Sequence, residues 1–395
     1  MSKNWKKLGK PSRAIVIGAL AGLSVVAVYL YRLGTLTNGA TLSEVQNINF
    51  GLGTTGIIHN PLFLPIQLLR SGLIFIVGPH NLFVDRLPDV FFGLIAIACF
   101  SYLIWLWHDA RTTVFAAILF AFSPWVLHVS RVASFDVMYL LVAPLLLLTH
   151  VLLHRYNSKP FVFIATLASW SILMYIPGVI WLLLWNIYLQ RSDIKSAWLN
   201  CSGLLKKTFA LVAGLLWVPL VAELAVGNIR ILTYLGAPSK LDSATEMAKH
   251  AASVPYHLFV VGPEYPAIWL GHSPILNIFC LVMCILGIYY YLDHWSASRS
   301  KLLISISLIA LLLVALNGPA TISLLVPLLY VFVAMGIAFI LNQWLKIFPL
   351  NPLARSIGIG ILALAVGLSA IYGLRSYFVA WPANQTSIQI FRYHP

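Results

Sequence analysis

Acidic residues are scarce in this sequence: eleven Asp and Glu among 395 residues, against twenty-five Lys and Arg. Charged residues of all kinds make up 9% of the chain, where a soluble domain averages about 25%. A soluble fold of this length needs far more charge on its surface, so that class is excluded. There are four cysteines, Cys99, Cys201, Cys280 and Cys284, and no Cys-x-x-Cys pair, which argues against a disulfide framework or a metal site. No glycine-rich loop of the P-loop or dinucleotide-binding type occurs, so nucleotide-driven chemistry is not expected. No period-2 alternation of the kind a transmembrane β-barrel needs is found. No internal repeat or low-complexity linker divides the chain.

What the chain has instead is apolar length. Hydrophobic residues make up 60%, and mean hydropathy is +0.89. Its runs suit helices of about 20 residues, the length that crosses a bilayer. The expectation is an all-α polytopic membrane protein with about eleven transmembrane helices, over 13–32, 87–107, 112–128, 135–154, 161–176, 178–190, 208–227, 275–292, 302–316, 322–342 and 357–375. In this setting a net charge of +14 points to the positive-inside rule rather than to nucleic acid. With the N-terminus inside, sixteen cations fall in short cytoplasmic segments and nine in longer outer ones. That bias gives an N-in, C-out orientation in the cytoplasmic membrane. Lys3, Lys6, Lys7, Lys10 and Arg13 precede an apolar run without a small-residue cleavage site, which reads as a retained first span. Residues 1–395 are expected to form a single transmembrane domain with no separate soluble domain. Its larger outer loops are 35–86 and 228–274, and Leu62 to Val77 reads as an interfacial or buried helix.

Candidate chemistry gathers on the outer side. Glu44 lies just beyond the first span, where partial desolvation raises a carboxylate's pKa and suits it to act as a base; the alternative is a solvated or helix-capping acid. His59 and Asn60 precede Pro61 and can hydrogen-bond a sugar or phosphate. Asp85-Arg86-Leu87-Pro88-Asp89 opens the second span, with Pro88 placed for a first helical turn. Asp85 and Asp89 then share a helical face, and Arg86 is able to hold a phosphate by paired hydrogen bonds. Between the third and fourth spans, Ser123 to Asp136 carries Arg131, a candidate for an anionic head group. Asp136 is placed either to cap the fourth span or to join the site. Glu223 ends the seventh span, where a structural partner and a site role are both open. Tyr256, His257, Glu264 and His272 are candidates for a substrate cover, at spacings that match no metal signature. Asn384-Gln385-Thr386 fits a glycosylation sequon.

Taken in order, these segments resemble the GT-C glycosyltransferases of the protein O-mannosyltransferase and aminoarabinose-transferase (family 39/83-like) type. The matching features are Leu42-Ser43-Glu44 after span one, then His59-Asn60-Pro61-Leu62-Phe63, then Gly78, Arg86-Leu87-Pro88 and Gly93, then Ser123 to Asp136. The likeness covers about the first 150 residues; beyond them it is limited to hydropathy and Asn317-Gly318-Pro319. It implies a GT-C-like bundle and an inverting transferase. The donor would be a polyprenyl-phosphate-linked sugar, and the acceptor a hydroxyl on a glycan, lipid or protein. It also implies Glu44 and Asp136 in catalysis, and Arg86, Arg131, His59 and Asn60 in substrate binding. No cofactor is implied with certainty, and the need for a divalent cation is left open. One departure stands out: the family commonly has an Asp-Glu pair where this chain has Ser43-Glu44. Glu44, Asp136 or another outer acid then serves as base, or the protein is a catalytically impaired relative. A transporter or flippase of a lipid-linked substrate is the competing class. It would place ionisable groups near the midplane in repeated halves, whereas here they concentrate at one face.

Overall fold

The computed structural model describes residues 13–52, 60–78, 81–238, 244–264 and 269–393. It is 78% helical, and the described residues contain no strand beyond an isolated bridge between Ala40 and Tyr393. The first half of the chain runs α1 (Arg13–Leu30), α2 (Leu42–Leu52), α3 (Leu64–Val77), α4 (Leu82–Trp107), α5 (Ala110–Ala121) and α6 (Pro124–Val129). It continues through α7 (Asp136–Tyr156), α8 (Pro160–Leu173), α9 (Val179–Leu189), α10 (Arg191–Asn200) and α11 (Gly203–Val226). After a short turn at Ile231–Tyr234 come α12 (Ala244–Phe259), α13 (Ile278–Asp293), α14 (Ser298–Asn317), α15 (Val326–Ile347) and α16 (Pro352–Arg375). Among the described residues, five helical stretches are long and apolar enough to cross a bilayer: Leu82–Trp107, Asp136–Tyr156, Ser298–Asn317, Thr321–Ile347 and Pro352–Ala383. Shorter apolar helices lie between them, so the protein is a polytopic membrane protein.

Helix ends follow local chemistry. Asn81, Asp109, Ser202, Asn277 and Asn351 each accept a backbone N–H of the first turn that follows, which satisfies a donor the helix leaves orphaned. The expected span over 112–128 is broken at Ser123-Pro124 into α5 and α6. The expected spans 161–176 and 178–190 appear as α8 and α9, separated at Gly178, whose φ of 77° is left-handed. The second span also differs from expectation. Its helix begins at Leu82 behind the Asn81 cap, so Pro88 lies inside the helix rather than in its first turn. The cap and the apolar Leu82-Phe83-Val84 extend the helix backward through Asp85 and Arg86.

The core is built around α7 and α15, whose faces are buried nearly all round. Two glycines set the closest approach. A Cβ on Gly287 of α13 would lie 1.9 Å from the Phe332 carbonyl oxygen, and one on Gly336 of α15 would lie 2.0 Å from that of Met283. The two backbones therefore touch, the small-residue packing that membranes favour because apolar burial drives no association there. Tyr29 of α1 donates to the Ala121 carbonyl over 2.8 Å and ties the first helix to the end of α5. At the opposite end of α4, Arg299 donates to the Trp107 carbonyl and meets His108 Nε2 at 2.7 Å, with its guanidinium 4.2 Å over the Trp107 ring.

Candidate functional site

The segment Thr41 to Glu44 is a capping box. The Glu44 N–H donates to Thr41 Oγ1 at 3.0 Å, and the Thr41 N–H donates to Glu44 Oε2 at 3.0 Å. This reciprocal pair starts α2 and turns the Glu44 carboxylate inward, where its residue is 1% exposed. Oε1 accepts from Arg86 Nε at 2.9 Å and from the Ala133 N–H at 2.8 Å, while Oε2 also accepts from Arg86 Nη2 at 3.1 Å. Burial alone would raise the Glu44 pKa. The Arg86 charge and hydrogen bonds, with the Ala133 and Thr41 amides, hold it below the usual carboxylate value instead. The raised pKa expected from desolvation is therefore reversed, because the acid is buried against a cation.

Arg86 is fully engaged. Beyond Glu44, Nη1 donates to the Leu33 carbonyl and Thr37 Oγ1, and Nη2 donates to Thr37 Oγ1 and the Gly39 carbonyl. A guanidinium has five N–H donors in a fixed fork, and here the loop 33–39 and Glu44 consume them. A phosphate would have to break these bonds to reach it.

A second buried pair lies alongside. Arg70 Nη2 of α3 meets Asp89 Oδ2 of α4 at 2.8 Å, with both side chains all but inaccessible. Asp89 Oδ1 accepts the Ser134 N–H at 3.1 Å. Arg70 lies 5.6 Å over the Phe135 ring, which stacks on Phe63 with ring centroids 4.8 Å apart. Two carboxylates from different helices thus take the N–H groups of the consecutive residues Ala133 and Ser134. Asn47 of α2 adds a bond to the Ala133 carbonyl at 3.3 Å. The turn between α6 and α7 is clasped from both sides.

That turn carries the remaining candidates. Arg131 is 2% exposed and donates through Nη2 to the Tyr31 carbonyl, and its guanidinium lies 5.2 Å over the Tyr377 ring and 4.7 Å over the Phe378 ring. Its Nε and Nη1 have no hydrogen-bond acceptor. Burial, with Arg86 close by, lowers its pKa from the ordinary arginine value. Thr37, Arg86, Arg131, Tyr377 and Trp381 line a crevice that has no room for a water molecule. Asp136 opens α7 without capping it; its own N–H goes to Ser134 Oγ at 3.2 Å, and the residue is half-buried. Among the acids of this region it keeps the most exposure, since Glu44, Asp85 and Asp89 are all buried.

The other candidates are less central. Asn60 accepts the Leu62 N–H at 3.4 Å in a local turn, and His59 lies outside the described residues. Ser43 is half-buried, its hydroxyl 2.9 Å from Thr41 Oγ1. Glu223 accepts from Asn228 Nδ2 at 2.6 Å. In the 228–274 segment, His272 Nδ1 lies 3.7 Å from Glu264 Oε1 and His257 Nδ1 lies 3.2 Å from the Val261 carbonyl, so these side chains pair locally. Among the described residues, no three His, Cys, Asp or Glu side chains are grouped to hold a metal ion. Sequence reasoning missed Arg70 altogether and grouped Arg86 with Glu44 without reading the two as an ion pair. The Thr41-x-x-Glu44 spacing of a capping box was the available signal for Glu44.

No protein-family model and no curated protein matches the chain. Solved structures do. ArnT from Cupriavidus metallidurans bound to undecaprenyl phosphate is similar at a TM-score of 0.54 and 12% identity, over 96% of this chain and 77% of that one. The same ArnT in the apo state is similar at a TM-score of 0.51 and 11% identity, over 95% of this chain and 77% of that one. This chain has the GT-C glycosyltransferase fold.

Proposed function

We propose that this protein is a membrane glycosyltransferase that moves a sugar from a polyprenyl-phosphate-linked donor to an acceptor hydroxyl on the outer side of the cytoplasmic membrane. The observation that carries the reading is the clasped turn. It presents a buried guanidinium with two uncommitted nitrogens, Arg131, and a half-buried acid, Asp136, a few residues apart. The fold likeness to an ArnT solved with undecaprenyl phosphate supports the donor class.

In this reading the acceptor oxygen attacks the anomeric carbon from the face opposite the phosphate. A new C–O bond forms as the bond to the phosphate oxygen breaks, and the configuration inverts. The leaving phosphate takes the bonding electron pair, and Arg131 stabilises its charge through Nε and Nη1 in a poorly hydrated site. The acceptor proton passes to Asp136, whose exposure leaves it reachable. Glu44 and Arg86 act on this chemistry by holding the turn, since every donor and acceptor between them is spent. Asn60 and His59 are assigned to sugar or acceptor hydroxyls. The crevice at Arg131 is closed in this structure, so donor entry requires Tyr377 and Trp381 to move away from Thr37. Acceptor recognition is assigned to segments 35–86 and 228–274, whether the acceptor is a glycan, lipid or protein.

The test is transfer from radiolabelled undecaprenyl-phosphate sugars by the purified chain in lipid nanodiscs. Asp136→Asn should lower kcat by about 10²- to 10⁴-fold with donor affinity little changed. Arg131→Ala should weaken donor binding by about 10- to 150-fold, the worth of charged hydrogen bonds. Undiminished turnover in Asp136→Asn removes it as the base, and normal donor affinity in Arg131→Ala removes the phosphate role.

A further inference from the structure

An open apolar groove runs between the end of α1 and the end of α16. Ala27, Val28 and Tyr31 form one wall, and Leu374, Arg375 and Phe378 form the other. It lies at the same end of the bundle as the clasped turn, since Tyr31 also supplies the carbonyl that Arg131 grips. The groove does not open onto that turn. Tyr31 and Phe378 meet edge to face with centroids 5.7 Å apart, and Arg131 is covered behind them. Whatever occupies the groove is kept from the proposed reacting groups and faces the bilayer.

Its charge is one-sided. No Asp or Glu precedes Glu44 in the chain and none follows Asp293, so both walls belong to stretches without an acid. Arg375 is exposed on the groove's lining, and no carboxylate pairs with it among the described residues. Arg32 follows Tyr31 and is also exposed, with Nη2 donating weakly to the Thr35 carbonyl at 3.4 Å. Apolar walls carrying one exposed cation without a carboxylate partner match an acyl chain beside a phosphate. The walls are short, from Ala27 to Tyr31 on one helix and from Ile371 to Val379 on the other. At 1.5 Å per residue that is room for a glycerol backbone and the first part of an acyl chain.

We infer that this groove seats an anionic phospholipid, with its phosphate at Arg375 and its acyl chain along the ends of α1 and α16. Binding there ties α1 to the last span and braces the Tyr31 carbonyl under Arg131. The inference does not depend on whether the chain transfers sugar.

The test is a native mass spectrometry titration of the purified full chain with phosphatidylglycerol and with phosphatidylcholine of matched acyl chains. Phosphatidylglycerol should be retained several-fold better, and Arg375→Gln should cut its affinity about fivefold, the worth of one interfacial cation. The same variant should leave phosphatidylcholine binding and the thermal midpoint unchanged. Val379→Trp, which fills the groove without touching charge, should reduce retention of both lipids. Equal retention of the two lipids by the wild type overturns the inference, and so does an Arg375→Gln variant that binds phosphatidylglycerol normally. Arg375-dependent retention of undecaprenyl phosphate without phosphatidylglycerol also overturns it, by assigning the groove to the carrier lipid.

Discussion

Replacing Glu44 with glutamine separates a structural carboxylate from a chemical one. The native oxygens accept four N–H bonds, two from Arg86 and one each from Thr41 and Ala133. A glutamine keeps one oxygen and presents an amide to the donors that faced the other. If the amide nitrogen takes the Oε2 place, it confronts the Thr41 N–H and Arg86 Nη2, and Arg86 is left as a buried cation without a counter-charge. Breaking one partner of a buried ion pair costs about 3–5 kcal/mol. Thermal unfolding of the purified protein should therefore show a clearly lowered midpoint, with donor binding and turnover falling together as the turn at Ala133 loosens. A second variant guards the interpretation: Glu44→Gln with Arg86→Met removes both charges and should recover part of the loss. The pH dependence adds a sign. The fold lowers the Glu44 pKa from 4.5, so the unfolded chain binds that proton more tightly. The stabilisation is complete above about 4.5 and fades as pH falls toward the lower folded value, so wild type and Glu44→Gln should converge in acid. An unchanged midpoint together with abolished turnover would refute the reasoning and make Glu44 the base.

Two further substitutions test the frame. At the far end of α4, burial and Arg299 lower the His108 pKa from 6.5 to about 3. This share of stability is present above 6.5 and is lost as pH falls below it, so His108→Gln should show a smaller drop in thermal midpoint between pH 7.5 and 5.5; equal drops would count against the contact. Gly287→Ala would push a methyl into the Phe332 carbonyl, and overpacking of this kind costs about 1–3 kcal/mol; an unaltered midpoint would mean α13 and α15 do not touch there.

Much of the frame could be read from composition and period. Apolar length and low charge gave the polytopic helical class, and the Leu62–Val77 segment appears as α3. The failures are local. Arg86-Leu87-Pro88 looked like a helix start because proline favours a first turn, but the Asn81 cap and the apolar residues after it outweighed that preference. The two short spans at Gly178 required a left-handed residue that period alone does not reveal. At the site, Glu44, Arg86 and Arg131 stood out because charge is rare in such a chain. Their pairing did not, since the Glu44–Ala133 bond joins residues 89 apart and depends on three helices meeting. Arg70 was missed for the opposite reason. A single arginine in the apolar run of α3 reads as an interface cation until Asp89 is placed against it.

The clasp at Ala133 also has a consequence in time. Ribosomes add about 5–20 residues per second. Arg86 emerges 42 residues after Glu44 and can neutralise it early, whereas Ala133 comes 89 residues after it, a wait of about 4–18 s. Both partners of the ion pair are therefore synthesised before the peptide they hold exists. The turn at Ala133 cannot close until the first third of the chain has been made, because its two carboxylate clasps, Glu44 and Asp89, act on N–H groups that come last.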